Sequence, residues 1–182
     1  MIYEALNDFA FYCEAPAKII EKYEEQIPPE LLEIWQICGF GTFANGYIKI
    51  INPDDYTDIL ENSYFASEVS VPIFVTGFAD IITWEEGRFL GLVEYRKSDV
   101  TIYPFNISHF LSKYHTSRCV VEFLDNDQYH EAVKLLGKLK YDECFGYVPL
   151  LALGGNEQAE KLHKMKIIPH IDLITDMVGR IV

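Results

Sequence analysis

The sequence predicts an α+β protein with a central, largely antiparallel and meandering β-sheet flanked by helices, and with a smaller C-terminal α/β subdomain. Three observations support this prediction. Of the 182 residues, 49% are hydrophobic, which is enough to fill one core or two small ones. Strand-like runs gather in the middle of the chain. Segments with helical periodicity lie before and after those runs and do not alternate with them one for one.

In the first third of the sequence we predict helices over residues 14–27 and 28–39, a strand over 47–51 and a third helix over 52–65. Pro16 suits the first turn of the first helix, and Gly39 is placed to cap the second. The stretch that follows Gly39 is expected to be a turn-rich lead into the strand. Asn52 and Pro53 are typical of a helix start, with acidic residues in the turn that follows.

The middle of the chain predicts three strands, over residues 71–84, 88–96 and 100–105. A hairpin-like turn around the sequence E-E-G joins the first two. Pro104 marks the end or the edge of the third, because proline cannot donate a backbone hydrogen bond. Residues 106–114 then predict a short helix, whereas residues 118–124 fit either a strand or a helix.

In the last third of the sequence we predict a helix over residues 125–139 and a strand-like run over 144–155. A short helix or turn over 156–162, a short extended piece over 166–170 and a closing helix over 171–182 follow. Asp127 is expected to cap the first of these helices. The closing helix has Ile171, Ile174, Val178 and Ile181 spaced to face inward. We expect two domains, residues 1–115 and 116–182, with one continuous compact unit as the alternative.

The cysteines and the apolar runs indicate a cytoplasmic protein. Cys13, Cys38, Cys119 and Cys144 form no C-x-x-C pair, so we expect four reduced and mostly buried thiols. Residues 1–10 have neither the basic region nor the apolar core of a secretory signal. No run approaches 18 apolar residues, and a membrane span is therefore not expected.

The net charge of −13 is concentrated in the first half of the chain. Residues 1–91 carry 16 acidic and four basic residues, whereas residues 92–182 carry 12 and 11. An excess of this kind disfavours direct binding of nucleic acid or of an anionic membrane, both of which rely on Lys and Arg. Solubility alone can account for an acidic excess, and the alternative is an acidic face that meets a basic partner.

Two glycines after an apolar run, Gly154 and Gly155, raise the possibility of a phosphate-binding loop. The stretch LALGGNEQ has neither the third glycine of a dinucleotide-binding loop nor the Lys-Ser or Lys-Thr pair that follows the last glycine of a Walker A loop. Glu157 and Glu160 would also repel a phosphate. We therefore expect these glycines to provide a bend, by positive φ or by close packing.

No catalytic or metal-binding signature is present. The five histidines form no H-E-x-x-H and no H-x-H, and Asp54, Asp55 and Asp58 lack the glycine and the distal glutamate of a calcium loop. No G-x-S-x-G elbow occurs. Glu85 and Glu86 could act as an acid–base pair, but a turn rich in Glu and Gly more often forms a solvated hairpin tip. No enzyme, no cofactor and no metal is therefore predicted.

Two stretches resemble known families. Residues 27–56, IPPELLEIWQICGFGTFANGYIKIINPDDY, resemble the opening of the GAD-like domain family, in which a proline-led helix ending in W…GFG leads into a strand and an N-P-x-x-Y helix start. Residues 138–174, which contain FGYVPLLALGG, resemble the C-terminal domain of immunity proteins that neutralise DNase effectors of the bacterial type VI secretion system. The two domains commonly occur together in this order.

This resemblance implies an immunity protein, or antitoxin, that binds a cognate secreted toxin in interbacterial competition. The toxin is expected to be a basic nuclease, because nucleases hold phosphate, and we expect its active site to be occluded. The predicted contacts are the acidic residues of the first half that we expect to be exposed: Asp54, Asp55, Asp58, Glu61, Glu85 and Glu86. Tyr56 and Tyr64 could be aromatic anchors of that interface or core residues.

Two other functions stay open at this point. One is an enzyme or a small-ligand-binding domain that uses the Gly154–Gly155 turn and His163. The other is a general interaction or scaffold module with no toxin partner.

Overall fold

Seven strands form one antiparallel sheet in which each strand pairs with the next along the chain. The structure is a computed structural model that describes residues 6–103, 106–114, 124 and 126–182. The strands are β1 (Ala10–Cys13), β2 (Phe40–Phe43), β3 (Ile48–Ile50), β4 (Ser70–Thr76), β5 (Ile81–Glu85), β6 (Phe89–Glu94) and β7 (Asp99–Tyr103). The predicted meandering, antiparallel sheet is confirmed.

Six α-helices and a second, two-stranded sheet complete the described part of the chain. The helices are α1 (Ala17–Tyr23), α2 (Pro29–Cys38), α3 (Thr57–Ser63), α4 (Ile107–Lys113), α5 (Asn126–Leu136) and α6 (Ile167–Val178). The small sheet pairs β8 (Glu143–Tyr147) with β9 (Leu162–Lys166) in antiparallel fashion. This β8–β9–α6 unit is the smaller C-terminal α/β part that the sequence predicts.

Both faces of the large sheet are covered, because side chains alternate between the two faces along each strand. In β5, Ile82 and Trp84 belong to a core cluster that also contains residues of α1, α2, α4 and α5. Ile81, which precedes Ile82 and points to the opposite face, belongs to a second cluster with residues of α3, β8 and α6. The acidic α3 thus lies over the second face of the sheet.

The first core cluster joins the two halves of the chain. Tyr129 of α5 packs against Tyr47, with 4.6 Å between the ring centroids, and Phe78 stacks parallel to Tyr147 of β8 at 6.5 Å. The backbone N–H of Phe145 also donates to the carbonyl of Gly77, at 2.7 Å. The C-terminal half therefore completes a core that the sheet begins.

Two hairpins of the sheet were not predicted from the sequence. Residues 40–43, expected to be a turn-rich lead, form β2, and the run 71–84, expected to be one strand, is β4 and β5 joined by a tight turn. In that turn Thr76 Oγ1 accepts the N–H groups of Phe78 and Asp80, at 3.2 Å each. Because Phe78 and Ala79 are themselves buried, the turn is hidden inside an apolar run.

The C-terminal elements differ from the prediction in their register. The strand-like run expected over 144–155 ends at Tyr147. The extended segment is not residues 166–170, as expected, but β9, which ends at Lys166. Helix α6 begins at Ile167 and contains Pro169, which a first turn tolerates because its N–H groups have no partner inside the helix. Val178, expected to face inward, is 37% exposed.

The other helix predictions are confirmed for α1, α2, α4 and α5, with Pro16 before α1 and Gly39 at the end of α2 with φ +72°. Asp127 lies in the first turn of α5 and is not its cap. Pro104 and residues 118–123, left open between strand and helix, lie outside the described residues.

The cysteine prediction is only partly right. Cys144 is buried, and burial raises the pKa of its thiol to about 12. Cys38 is half-buried and Cys13 is exposed, in contrast to the expectation of mostly buried thiols. All three thiols are free, and Cys119 lies outside the described residues.

Candidate partner-binding surface

Helix α3 presents a row of carboxylates to solvent. A short 3₁₀ turn, Pro53–Asp55, leads into it, and the side chain of Asn52 caps this turn by accepting the N–H of Asp54 at 3.2 Å. Ile59 and Leu60 of α3 are buried, so its opposite side faces water. The predicted contact residues Asp55, Asp58 and Glu61 are all exposed there.

Asp54 is exposed as predicted, but its carboxylate is already bound within the protein. Its Oδ1 accepts from Lys22 Nζ at 2.5 Å and from the Tyr23 hydroxyl at 2.7 Å. The hydrogen bond from Lys22 lowers the pKa of Asp54. Asp54 therefore ties α1 to the start of α3, and it presents less free charge than its neighbours.

The exposure predicted for Glu85 is wrong. Glu85 is the last residue of β5 and is 7% exposed, since its side chain points from the strand under Tyr64. Its Oε1 accepts from the Tyr64 hydroxyl at 2.9 Å and from Thr83 Oγ1 at 2.8 Å. A methyl group on Gly91, in the adjacent strand, would lie 2.1 Å from the same oxygen. Glu85 is thus a structural carboxylate enclosed by the sheet.

Glu86 lies at the tip of the β5–β6 hairpin, as predicted. It has a positive φ of 51°, is exposed, and accepts from the Arg88 guanidinium at 2.7 Å. Its backbone N–H donates to the carbonyl of Val69 at 2.9 Å, which attaches the hairpin tip to the segment that follows α3.

The hydrogen bond from Glu86 to Val69 brings the hairpin tip against residues 64–69, the segment that follows α3. We call the exposed carboxylates of these elements, of α3 and of the turn before it the acidic surface: Asp55, Asp58, Glu61, Glu68 and Glu86. Sequence reasoning missed Glu68, which lies in a 3₁₀ turn at Ser67–Val69. The residues next to Glu68 form no pattern that predicts exposure or binding. Its position near the hairpin tip follows from the hydrogen bond between Val69 and Glu86.

The two tyrosines that the sequence left open are core residues. Tyr56 is 7% exposed and Tyr64 is 1% exposed, and both belong to the second core cluster. Burial raises the pKa of each hydroxyl well above its usual range.

The backbone N–H groups of the Gly154–Gly155 turn form hydrogen bonds within the turn itself. Gly154 has φ +87° and ends a 3₁₀ turn at Leu151–Leu153, and a methyl group on Gly155 would lie 2.2 Å from the carbonyl oxygen of Pro149. The N–H of Gly154 donates to Leu151 O and that of Gly155 to Leu150 O, both at 3.0 Å. These two N–H groups are therefore not presented to a phosphate, and the bend by positive φ and close packing is confirmed.

The buried charges near this turn leave little room for a ligand. Arg96 donates through Nε to Asp80 Oδ2 at 3.0 Å, and its guanidinium lies 4.3 Å from the centre of the Phe78 ring. The cavity lined by Arg96 and His170 has a volume of about 10 Å³, which is the space of one water molecule. His163, which the small-ligand hypothesis uses, is exposed on β9.

Neither a metal site nor a membrane helix is found in the described ranges. No three His, Cys, Asp or Glu side chains in them are grouped so that they could hold a metal ion. None of the helices there combines the length and the apolar character that crossing a bilayer requires.

Comparison with known proteins agrees with this architecture. The crystal structure of Atu4351 from Agrobacterium tumefaciens superposes with a TM-score of 0.74, covering 96% of this chain and 88% of that chain. The sequence identity is 18%, so this likeness shows a shared fold. No curated protein matches the chain in sequence.

Two family models match consecutive parts of the sequence. Residues 1–93 match the GAD-like domain, and residues 104–178 match the C-terminal domain of the T6SS immunity protein Tdi1. The two matches fall on the stretches whose residues resemble these families. The chain therefore belongs to the GAD-like domain family and carries, after that domain, the C-terminal domain of the type VI secretion immunity protein Tdi1.

Proposed function

We propose that this protein neutralises a secreted nuclease by laying the acidic surface over the active site of that toxin. The family match supports a type VI secretion immunity role with a cognate toxin as partner. The observation that carries the finer proposal is the acidic surface itself. Asp58 and Glu61 are one helical turn apart and exposed, whereas the apolar side of the same helix is buried.

Electrostatics explains why such a surface suits this task. A nuclease must hold phosphate groups, so its active site is lined by basic side chains and metal ions. Carboxylates of a second protein can occupy that positive site, and opposite charges also speed the encounter of the two proteins. The protein then acts as a stoichiometric binder in the cytoplasm of the cell that makes the toxin, and it needs no active site of its own.

The test is a charge reversal on α3 with a matched control. Asp58→Lys/Glu61→Lys should weaken binding of the cognate toxin by about tenfold or more, and should flatten the salt dependence of the dissociation constant. Glu157→Lys/Glu160→Lys changes the net charge by the same amount on an exposed segment of the C-terminal half, and should leave the dissociation constant within about twofold. Isothermal titration calorimetry at two salt concentrations measures both.

Three results would contradict the proposal. The first is a wild-type protein that neither binds the toxin nor rescues the growth of cells that express it. The second is an equal loss of affinity in both double variants, which would assign the effect to net charge alone. The third is a stable complex that still cleaves DNA, which would exclude occlusion of the active site.

Small-ligand binding at the Gly154–Gly155 turn has no comparable support. The turn on which it would rest uses its N–H groups internally, and the nearby cavity is the size of one water molecule.

A further inference from the structure

We propose that Phe65, together with Val69 of the same segment, is the apolar anchor through which this protein binds its toxin. The toxin would bind Phe65 in an apolar pocket surrounded by basic side chains. This inference rests on the proposed function and adds to it the residue on which affinity depends most. Phe65 and Val69 lie on the segment 64–69, which follows Glu61, contains Glu68 and contacts the hairpin tip through the carbonyl of Val69.

Phe65 is exposed to an extent unusual for a large aromatic side chain of this protein. It is 58% exposed and Val69 is 50% exposed, whereas the preceding Tyr64 is 1% exposed. The ring of Phe65 packs edge to face against the buried ring of Tyr64, with 5.1 Å between the ring centroids. The core thus supports the Phe65 ring from one side and leaves the rest of it to solvent.

The segment that carries Phe65 is held in place from two distant parts of the chain. The N–H of Phe65 donates to Ile181 O at 3.1 Å, and Arg180 donates to Tyr64 O at 2.6 Å. From the sheet side, Glu85 accepts from the Tyr64 hydroxyl, and Glu86 N–H donates to Val69 O. An exposed aromatic ring on a fixed backbone loses little conformational freedom on binding, which is what an interface anchor requires.

The charges around this ring select the partner. Glu68 lies on the segment itself, Glu61 precedes it, and Glu86 contacts it from the hairpin tip. The guanidinium of Arg180 is directed at the backbone of Tyr64, and that of Arg88 is paired with Glu86. An apolar centre with a charged rim is the usual anatomy of an interface between proteins. With an acidic rim, the complementary surface is basic, as expected of a nuclease.

The test compares two exposed phenylalanines. Phe65→Ala should raise the dissociation constant for the cognate toxin at least about 30-fold, the effect expected of an interface hot spot. Phe11→Ala removes a ring that is 63% exposed on β1, the far edge strand of the same sheet, and should change binding less than about twofold. Phe65→Leu should retain part of the affinity, because it keeps apolar bulk at the anchor.

The thermal midpoint of each variant shows whether it is folded, and Phe65→Leu serves as the test variant if Phe65→Ala is not. If the wild-type protein binds the toxin and a folded Phe65 variant binds it with the same affinity, Phe65 is not the anchor, and the proposed function still stands. Equal losses for Phe65→Ala and Phe11→Ala also overturn it. A wild-type protein that does not bind the toxin overturns the proposed function and the anchor with it.

Discussion

At the scale of single residues, His170 shows how the C-terminal helix depends on a neutral imidazole. It is 4% exposed, and a methyl group on Gly146 would lie 2.5 Å from its ring. Its Nδ1 has no hydrogen-bond partner within the described part of the chain. Burial lowers the pKa of His170 to about 4, because the charged form would have to leave water.

Acidification should therefore destabilise the protein through His170. The unfolded chain takes up this proton near pH 6.5 and the folded chain only near pH 4, so the unfolded state binds more protons between these values. Between pH 7.5 and pH 5.0 we expect this group to lower the free energy of unfolding by about 2 kcal/mol. His170→Leu should lose that part of the pH dependence, as measured by urea denaturation at the two pH values.

The contribution of His170 can be separated from that of Asp80. Burial raises the pKa of Asp80 to about 6, so acidification through that range acts in the opposite direction at Asp80. Asp80 is present in both proteins, and its effect cancels when the pH dependence of the variant is subtracted from that of the wild type. An unchanged pH dependence in His170→Leu would refute the prediction.

At the scale of elements, the loop from Val148 to Gly155 shows two different reasons for a glycine. Gly154 has open space around its missing side chain but a φ of +87°, whereas Gly155 has no positive φ but lies against the Pro149 carbonyl. One position is constrained by its own backbone conformation, and the other by a neighbouring backbone atom.

The two glycines should therefore respond differently to substitution by alanine. Gly154→Ala should cost about 1 kcal/mol, the penalty of a side chain in the left-handed region. Gly155→Ala should cost more, on the order of 2–3 kcal/mol, because backbone must move to admit the methyl group. Urea denaturation of the two variants measures this order, and a larger loss for Gly154→Ala would contradict the structural account.

Elements with strong local signals could be predicted from the sequence, and those set by tertiary contacts could not. The proline-led start and the glycine end located α2, and the E-E-G turn located the β5–β6 hairpin. Strand β2 was missed because Gly41 weakens its local signal, although a methyl group there would lie 2.4 Å from Ala10 O in β1. Only the pairing of β1 with β2 accounts for a glycine inside that strand.

The candidate site divides in the same way. Helical spacing was enough to place Asp58 and Glu61 on the exposed side of α3. The burial of Glu85 depends on the Tyr64 hydroxyl, 21 residues away, and the position of Glu68 depends on a contact with the hairpin tip. Long-range contacts of this kind leave no periodicity in a single sequence.

At the scale of the whole molecule, the two halves share one core. Phe78 contacts Tyr129 and Tyr147, and Tyr47 donates a hydrogen bond to Leu124 O. These contacts favour one continuous compact unit over two separate domains at residues 1–115 and 116–182, and the domain division stays a prediction.

Unfolding should consequently occur in a single cooperative transition. We expect the urea transitions followed by tryptophan fluorescence and by far-ultraviolet circular dichroism to coincide. Trp35 and Trp84 report on the first half, where both are buried, whereas the circular dichroism also reports on α5 and α6. Two separated transitions would instead show that the halves fold independently.

The separation between α3's two sides has a consequence for the descent of this protein. The contacts that hold the region together run through Tyr64, Glu85 and Arg180, while the carboxylates of Asp58 and Glu61 point to water. Substitutions at those outward positions can accumulate with little cost in stability. Under the proposed function, a lineage facing a new toxin can change the recognition residues on α3 and keep the scaffold beneath them, whose fold is shared with Atu4351 at 18% identity.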